Sequence, residues 1–297
     1  MSQGEWQSTT RIIDAAIEVL ADENPMTIRQ LFYRLVSAHV IKNQQKDYHQ
    51  VIRLMTKARK DGRVDYQWIV DRSRAAYKSH MWQSMSELAG AFERELVSYR
   101  SDWWTEQPNY VEIWCEKDTV TGSIEEVRDG YGLRVDANRG FNSTSNLWAG
   151  AERLMNECER GKHVHILYLG DWDPSGKDME RDLEARLLEY MPYGDFEIER
   201  VAIFKEDIDE YNLPPLLVKD SDSRTKKFVR QHGKNCVELD ALPPDVLRDR
   251  LREAIEGHLD TEAWERAQIV EEAQRESNKT VAAIIRQMMV GEGRAQS

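Results

Sequence analysis

His163-Val164-His165-Ile166-Leu167-Tyr168-Leu169-Gly170-Asp171-Trp172-Asp173-Pro174-Ser175-Gly176 is the stretch on which the fold turns. Its first seven residues are strongly apolar, as a buried strand of a parallel sheet requires. Gly170 ends the run, and an Asp-x-Asp-Pro-x-Gly turn follows. Pro174 and Gly176 suit that turn. The residues after it read as a helix to about Tyr190. Ligands of parallel sheets sit beyond the carboxyl ends of the strands. Asp171 and Asp173 stand at such an end, and their spacing lets two carboxylates face one ion.

Upstream, residues 110–115 read as a strand ending in Glu116-Lys117, and residues 132–138 as a second strand. A helix is predicted over 145–160, and a further strand over 196–204. Alternating strands and helices imply an α/β domain with a mostly parallel sheet. Glu116, Asp171 and Asp173 offer hard oxygen donors without His or Cys, which favours Mg²⁺ over zinc. Mg²⁺ held by few carboxylates usually works on a phosphate. An exposed turn can also read Asp-x-Asp; the apolar strand before it and Glu116 upstream favour a site. His163 and His165 read as strand residues rather than ligands, and Trp172 as packing at the edge of the site.

The N-terminal third is different. A helix is predicted over 8–22, ended by Asn24-Pro25. Thr27 caps a second helix, with Ile28, Leu31, Phe32, Leu35 and Val36 on one face. A third helix, 47–60, carries Tyr48, Val51, Ile52, Met55 and Ala58 inward. Gln50, Arg53, Lys57 and Lys60 fall on its other side. Asp61-Gly62 marks a turn, and Val64, Tyr66, Trp68 and Val70 alternate as a half-buried strand does. Helix, helix, basic helix, turn and strand is the order of a winged helix, with the basic helix in the major groove of DNA. A generic small helical domain is the alternative.

Charge supports the first reading. The chain carries 41 Lys+Arg and 53 Asp+Glu, a net of −12. Residues 26–80 alone hold 12 Lys+Arg and 4 Asp+Glu, a net of +8. A basic segment in an acidic chain points to a polyanion partner. Residues 219–234 hold 6 Lys+Arg against 2 Asp+Glu. There Arg224, Lys226 and Lys227 either track a DNA backbone or belong to a solvated loop. Arg139-Gly140-Phe141-Asn142-Ser143 suits a phosphate-facing loop and equally an ordinary turn. Asp71, Arg72 and Arg74 border the DNA-facing segment and receive no role.

On the second helix, Tyr33 lies roughly 150° from the core direction. Arg29, one turn earlier, shares its face. A guanidinium favours the phenolate and binds a phosphate. That pair suits a covalent phosphotyrosine intermediate, although a surface or phosphate-contacting tyrosine reads the same way.

Composition excludes some classes. With 40% hydrophobic and 32% charged residues the chain can build cores and is not globally disordered. No apolar run is long enough to span a bilayer, and the polar N-terminus does not read as a signal peptide. A cytoplasmic protein is expected. Cys115, Cys158 and Cys236 lack CxxC spacing and read as ordinary thiols. Residues 81–106 read as a helix plus linker. The tail from 260 reads as one or two polar helices with disordered last residues. The expected organisation is 1–106, winged helix and linker; 107–259, metal-binding domain; 260–297, helical tail.

Thr27-Ile28-Arg29-Gln30-Leu31-Phe32-Tyr33 resembles the catalytic tyrosine motif of the A subunit of DNA topoisomerase VI and of the related meiotic break-forming transesterase. Tyr33 falls on the nucleophile and Arg29 on the supporting arginine. Phe32 replaces the first of a frequent Tyr-Tyr pair. Glu116 and Asp171-Trp172-Asp173-Pro174-Ser175-Gly176 resemble the Toprim acids of the same family. The resemblance covers roughly residues 8–240, and the compact A-only relatives of phages and mobile elements are the most similar in size. It implies a Toprim domain, Mg²⁺ and double-stranded DNA. It also implies a homodimer in which one subunit's tyrosine meets the other's metal. No glycine-rich nucleotide loop is evident, so strand passage driven by ATP would need a separate ATPase subunit. Two other readings stand beside it: a metal-dependent Toprim nuclease using water, and a non-catalytic DNA-binding protein of a mobile element.

Overall fold

The computed structural model describes residues 3–69, 81–137, 144–217 and 225–291. Two compact units divide the chain: Met1–Arg74 with Tyr110–His258, and Ala75–Asn109 with Leu259–Ser297.

The first unit opens with three mutually packed helices, α1 (Gln3–Glu23), α2 (Ile28–Ser37) and α3 (Gln45–Lys60). Thr27 starts α2 with a capping box. Its hydroxyl accepts from the Gln30 amide, and the Gln30 side chain accepts from the Thr27 amide. Such a cap contributes about 1 kcal/mol. On α3 the buried residues are Val51, Leu54, Met55 and Ala58. Leu54 therefore takes the inward place expected of Ile52, which is exposed.

Over the described residues 64–69, the expected strand does not form. A 3₁₀ turn occupies Tyr66–Trp68, capped by the Asp65 side chain, and Ile69 makes only an isolated bridge to Met26. The Arg59 guanidinium donates to the carbonyls of Tyr66 and Ile69 at 2.6 and 2.7 Å, and so takes acceptors a strand ladder would use. Val64 and Ile69 are buried while Tyr66 is 61% exposed, so the apolar alternation does not mark a sheet face. Val70, Asp71, Arg72 and Arg74 lie outside the described residues.

The rest of this unit is α/β. In chain order come β1 (Asn109–Cys115), α5 (Glu125–Tyr131), β2 (Arg134–Ala137), α6 (Thr144–Glu159), β3 (His163–Leu169), α7 (Pro174–Tyr190) and β4 (Phe196–Ala202). The label α4 belongs to a helix of the other unit, Met85–Val97. The four strands form one parallel sheet in the order β2-β1-β3-β4. The predicted β3 matches the observed strand, and the other strands match in place with ends shifted by a few residues. Alternate residues of β3 divide between two faces. Val164, Ile166 and Tyr168 pack with Trp114 against Leu147, Ala151 and Leu154 of α6 and Leu183 and Leu187 of α7. Each such buried side chain contributes about 1.5–3 kcal/mol. The opposite face turns towards α10 (Pro244–Glu256), which packs on β4 and α5. Between β4 and α10 lie α8 (Asp207–Glu210), β5 (Leu216–Leu217), α9 (Thr225–His232) and β6 (Asn235–Cys236), with β5 and β6 antiparallel.

The second unit pairs α4 with the 31-residue α11 (Thr261–Gly291). The helix plus linker expected over 81–106 is seen as α4 and the non-helical chain after it, and the tail is one helix. Buried Glu271 of α11 holds the segment that follows α4. It accepts from the Ser101 amide at 2.8 Å and the Trp103 indole at 2.7 Å, and pairs with Arg275 at 2.8 Å. The end of the chain, 292–297, is outside the described residues. Among the described residues, no helix is long and apolar enough to cross a membrane.

Candidate functional site

In a sheet ordered β2-β1-β3-β4, the chain turns to opposite sides after β1 and after β3. The crevice between their carboxyl ends is the switch point where open α/β sheets bind ligands. Glu116 follows β1 and Asp171 follows β3. The Glu116 amide donates to Leu169 O at 2.9 Å, and Glu116 Oε2 accepts from the Asp171 amide at 2.9 Å. Asp173 caps α7, its Oδ1 accepting from the Gly176 amide at 2.7 Å. A Cβ at Gly176 would collide with the Asp171 carbonyl oxygen and stand 3.1 Å from Glu116 Oε2. Glycine at the end of the Asp-x-Asp-Pro-x-Gly turn is therefore a packing requirement of the acid pair.

A line of charges runs on from Asp171. Its Oδ1 accepts from the Leu239 amide at 2.8 Å, and its Oδ2 pairs with Lys117 Nζ at 2.5 Å. Lys117 reaches Glu238 Oε2 at 3.3 Å. Glu238 also takes the guanidinium of Arg29, through Nε at 2.9 Å and through Nη2. Arg29 Nε stands 3.7 Å from buried Asp240, which accepts from Thr119 Oγ1 at 3.2 Å. The other Asp240 oxygen, Oδ1, is buried without a hydrogen-bond partner. Arg29 lies against Tyr33, 5.9 Å from its ring centroid. The tyrosine helix and the strand-end acids thus belong to one network within one compact unit.

Lys117, Glu238, Asp240 and Thr119 were not singled out by the sequence. Lys117 adjoins Glu116, which was its only signal. Glu238 and Asp240 follow a basic segment, and no motif marks them.

Burial sets the electrostatics. It pushes the Glu116 carboxyl up to about 7, helped by the charges of Asp171 and Asp173 and opposed by the Asp171 amide and Lys117. Asp171 is raised by burial, with Lys117 working against the shift. Asp240 rises to about 6 by burial, partly offset by Lys117 and Arg29. Burial also disfavours charge on Glu238, but Lys117 and Arg29 outweigh it and hold the carboxyl below its ordinary value. Tyr33 is only 4% exposed. Its phenol is raised to about 12, first by burial and then by Glu238, with Arg29 opposing. The exposed position and eased ionisation expected from helical spacing are therefore corrected. The cause is that α2 is covered by α1, by α3 and by the Leu239–Ala241 turn. Much of Arg29's charge faces Glu238 rather than the phenol.

The donor set suits a hydrated magnesium ion. All donors are oxygens, and Mg²⁺ usually takes one or two carboxylates and keeps several waters. Glu116, Asp171 and Asp173 do not draw three ligand atoms within 4.8 Å of one another. Among the described residues His163, His165 and Glu197 do.

The raised Glu116 carboxyl has a stability consequence. Its folded pKa lies above its ordinary 4.5, so ionisation is penalised in the fold. The penalty is absent below about 4.5 and complete above about 7. Glu116→Gln should therefore stabilise the metal-free protein by on the order of 2 kcal/mol at pH 8, and hardly at all at pH 4.5. Urea unfolding at the two pH values reads this directly. Equal gains at both would mean that the carboxylate is not desolvated.

The expected DNA-contacting residues divide. Arg53, Lys57 and Lys60 are exposed on α3, and Gln50 is half-buried there. Lys226 and Lys227 are exposed on α9, while Arg224 and residues 139–143 lie outside the described residues. A groove of about 490 Å³ includes Pro174 and is lined by Lys177, Arg181 and Lys227 against Asp178, Glu180 and Glu184. Its cationic and acidic side chains balance, so its lining carries no net preference for a polyanion.

Compared with models of known protein families, with curated proteins and with solved structures, the chain matches none.

Proposed function

We propose that this chain is a DNA-cleaving transesterase of the type IIB topoisomerase kind, with Tyr33 as nucleophile. In this reading α1–α3 are a winged-helix-like module whose basic α3 meets double-stranded DNA, and the parallel sheet is a Toprim-like domain. One observation carries it: Arg29 and Lys117 share Glu238, tying the tyrosine helix to the acids at the switch point.

The Tyr33 oxygen attacks a backbone phosphorus. A phosphotyrosyl bond forms as the bond to one sugar oxygen breaks, and the proton the phenol gives up ends, by way of solvent, on that departing oxygen as a free sugar hydroxyl. The resemblance implies that the tyrosine stays on a 5′ end. Arg29 exchanges Glu238 for the phosphate, an anion its guanidinium can grip through two N–H groups. Glu116, Asp171 and Asp173 would hold Mg²⁺, which supplies positive charge at the phosphoryl oxygens. Lys117 must leave Asp171 for that to happen. A second copy of the chain and a separate ATPase subunit enter the proposal through the resemblance alone.

The burial of Tyr33 favours one competing reading, in which water is the nucleophile and the tyrosine is structural. Supercoiled plasmid and Mg²⁺, stopped with detergent and divided with and without proteinase K, separate the two. The transesterase leaves ends that carry protein until digestion. Asp171→Asn and Asp173→Asn should each lower their yield by on the order of 10²-fold or more. Free ends at once, with no protein attached, would make the chain a hydrolytic nuclease.

A further inference from the structure

At the other end of β3, the parallel register sets His165 beside Glu197 of β4. His163 lies on the same face two residues earlier, and its ring meets that of His165 at 4.5 Å between centroids. One ligand atom from each of His163, His165 and Glu197 lies within 4.8 Å of the other two. His165 is only 6% exposed, and its Nδ1 is buried without a hydrogen-bond partner, 3.9 Å from Glu197 Oε2. Such an unpaired nitrogen normally costs free energy and calls for an explanation.

We propose that His163, His165 and Glu197 form a binding site for a divalent transition-metal ion, zinc foremost, separate from the acids at the switch point. Two imidazoles and a carboxylate are a donor set that zinc takes with a fourth position left open. Bonds of about 2.0–2.1 Å at tetrahedral angles put neighbouring ligand atoms about 3.3 Å apart. The Nδ1–Oε2 separation is already near that. The Glu197 side chain is 61% exposed and free to close the remainder. His163 Nδ1 stands 2.7 Å from Asp195 Oδ1. An Nδ1–H given to that carboxylate leaves Nε2 as the coordinating nitrogen, the arrangement found around metal-bound histidines.

The surroundings agree. His258 stacks on His165 at 3.7 Å, closing the inner side, and its Nε2 stands 3.0 Å from Glu199. Four strand steps run from His165 to Leu169, about 13 Å at roughly 3.3 Å per residue, and Asp171 lies two residues further on. The two sites are therefore independent. Sequence could not reveal this one, because Glu197 joins the histidines only through the pairing of β3 with β4.

The test uses full-length protein, free of any polyhistidine tag and stripped with chelator. Calorimetric titration with Zn²⁺ should find one saturable site per chain. Co²⁺ should give the visible bands of a four-coordinate ion. His163→Ala, at a partly exposed position, should abolish saturable binding with the fold intact by circular dichroism. Glu197→Gln should weaken it, and Asp195→Asn should weaken it by about 10- to 100-fold. Asp171→Asn should leave it unchanged. The proposal is overturned if no saturable zinc site appears. It is equally overturned if the site survives His163→Ala and Glu197→Gln, or disappears with Asp171→Asn.

Discussion

Phenylalanine at position 33 should remove protein-linked DNA ends, by on the order of 10⁴-fold or more, while DNA binding and stability hold. The ring supplies the packing at this position. It meets Phe32 edge-on at 5.3 Å and lies beside Arg29, and both contacts survive loss of the hydroxyl. Removing one hydroxyl changes stability by about 1 kcal/mol. The hydroxyl is also the sole atom that can accept the phosphoryl group, so activity and stability should part company. The pH profile adds a second signature. The phenol titrates at about 12, so the phenolate fraction climbs about tenfold per pH unit across the neutral range. Cleavage by the wild type should rise with it until another step limits the rate. Protein-linked ends that persist in Tyr33→Phe would move the nucleophile elsewhere.

The largest loss of stability is expected at Arg153, far from the chemistry. Glu112, fully buried in β1, accepts from the Tyr110 hydroxyl at 2.8 Å and the Trp114 indole at 2.9 Å. Arg153 of α6 grips it with two further bonds, at 2.6 and 2.9 Å, and reaches Asp136 of β2 at 2.9 Å. Arg153→Met leaves a buried carboxylate without its counter-charge, which costs about 3–5 kcal/mol. Adding Glu112→Gln should return part of that, because the stranded charge is gone. Urea midpoints of the two single variants and the double variant measure the coupling. A loss under about 1 kcal/mol for Arg153→Met would show that solvent screens the pair. Since β1 leads into Glu116, a loosened strand should also slacken the acid site.

The sheet was readable because its strands are short apolar runs ended by turn signals. His163–Leu169 is an apolar run closed by Gly170, and the helix expected after the Asp-x-Asp-Pro-x-Gly turn begins earlier, at Pro174 with Asp173 as its cap. Helices α2 and α3 followed from their spacing. Spacing failed where an element is covered on more than one side. Tyr33 faces away from the main apolar stripe of α2 yet is buried, because the Leu239–Ala241 turn packs there from the far end of the unit. The false strand at 64–70 failed for a different reason: a single arginine on α3 captured the backbone carbonyls. Lys117, Glu238 and Asp240 stayed hidden because ion pairs across more than a hundred residues leave no period in the sequence. The pairing of α4 with α11 is of the same sort, since most of the sheet lies between them along the chain.

The line of charges around Glu238 bears on the sequence of events at the site. Among the described residues, the cations that the ion pairs set against Asp171, Glu238 and Asp240 are Lys117 and Arg29, so with Glu116 and Asp173 also ionised these five acids outnumber the two cations by three. Under the proposed function, a phosphodiester arriving first would meet repulsion, whereas a divalent cation arriving first would be drawn in and would displace Lys117. In kinetic language, the proposed function would then require an ordered assembly, metal before nucleic acid. A metal-starved pool of the protein would then not sit on DNA as an inert competitor; its acids would hold phosphate off until the cation arrived.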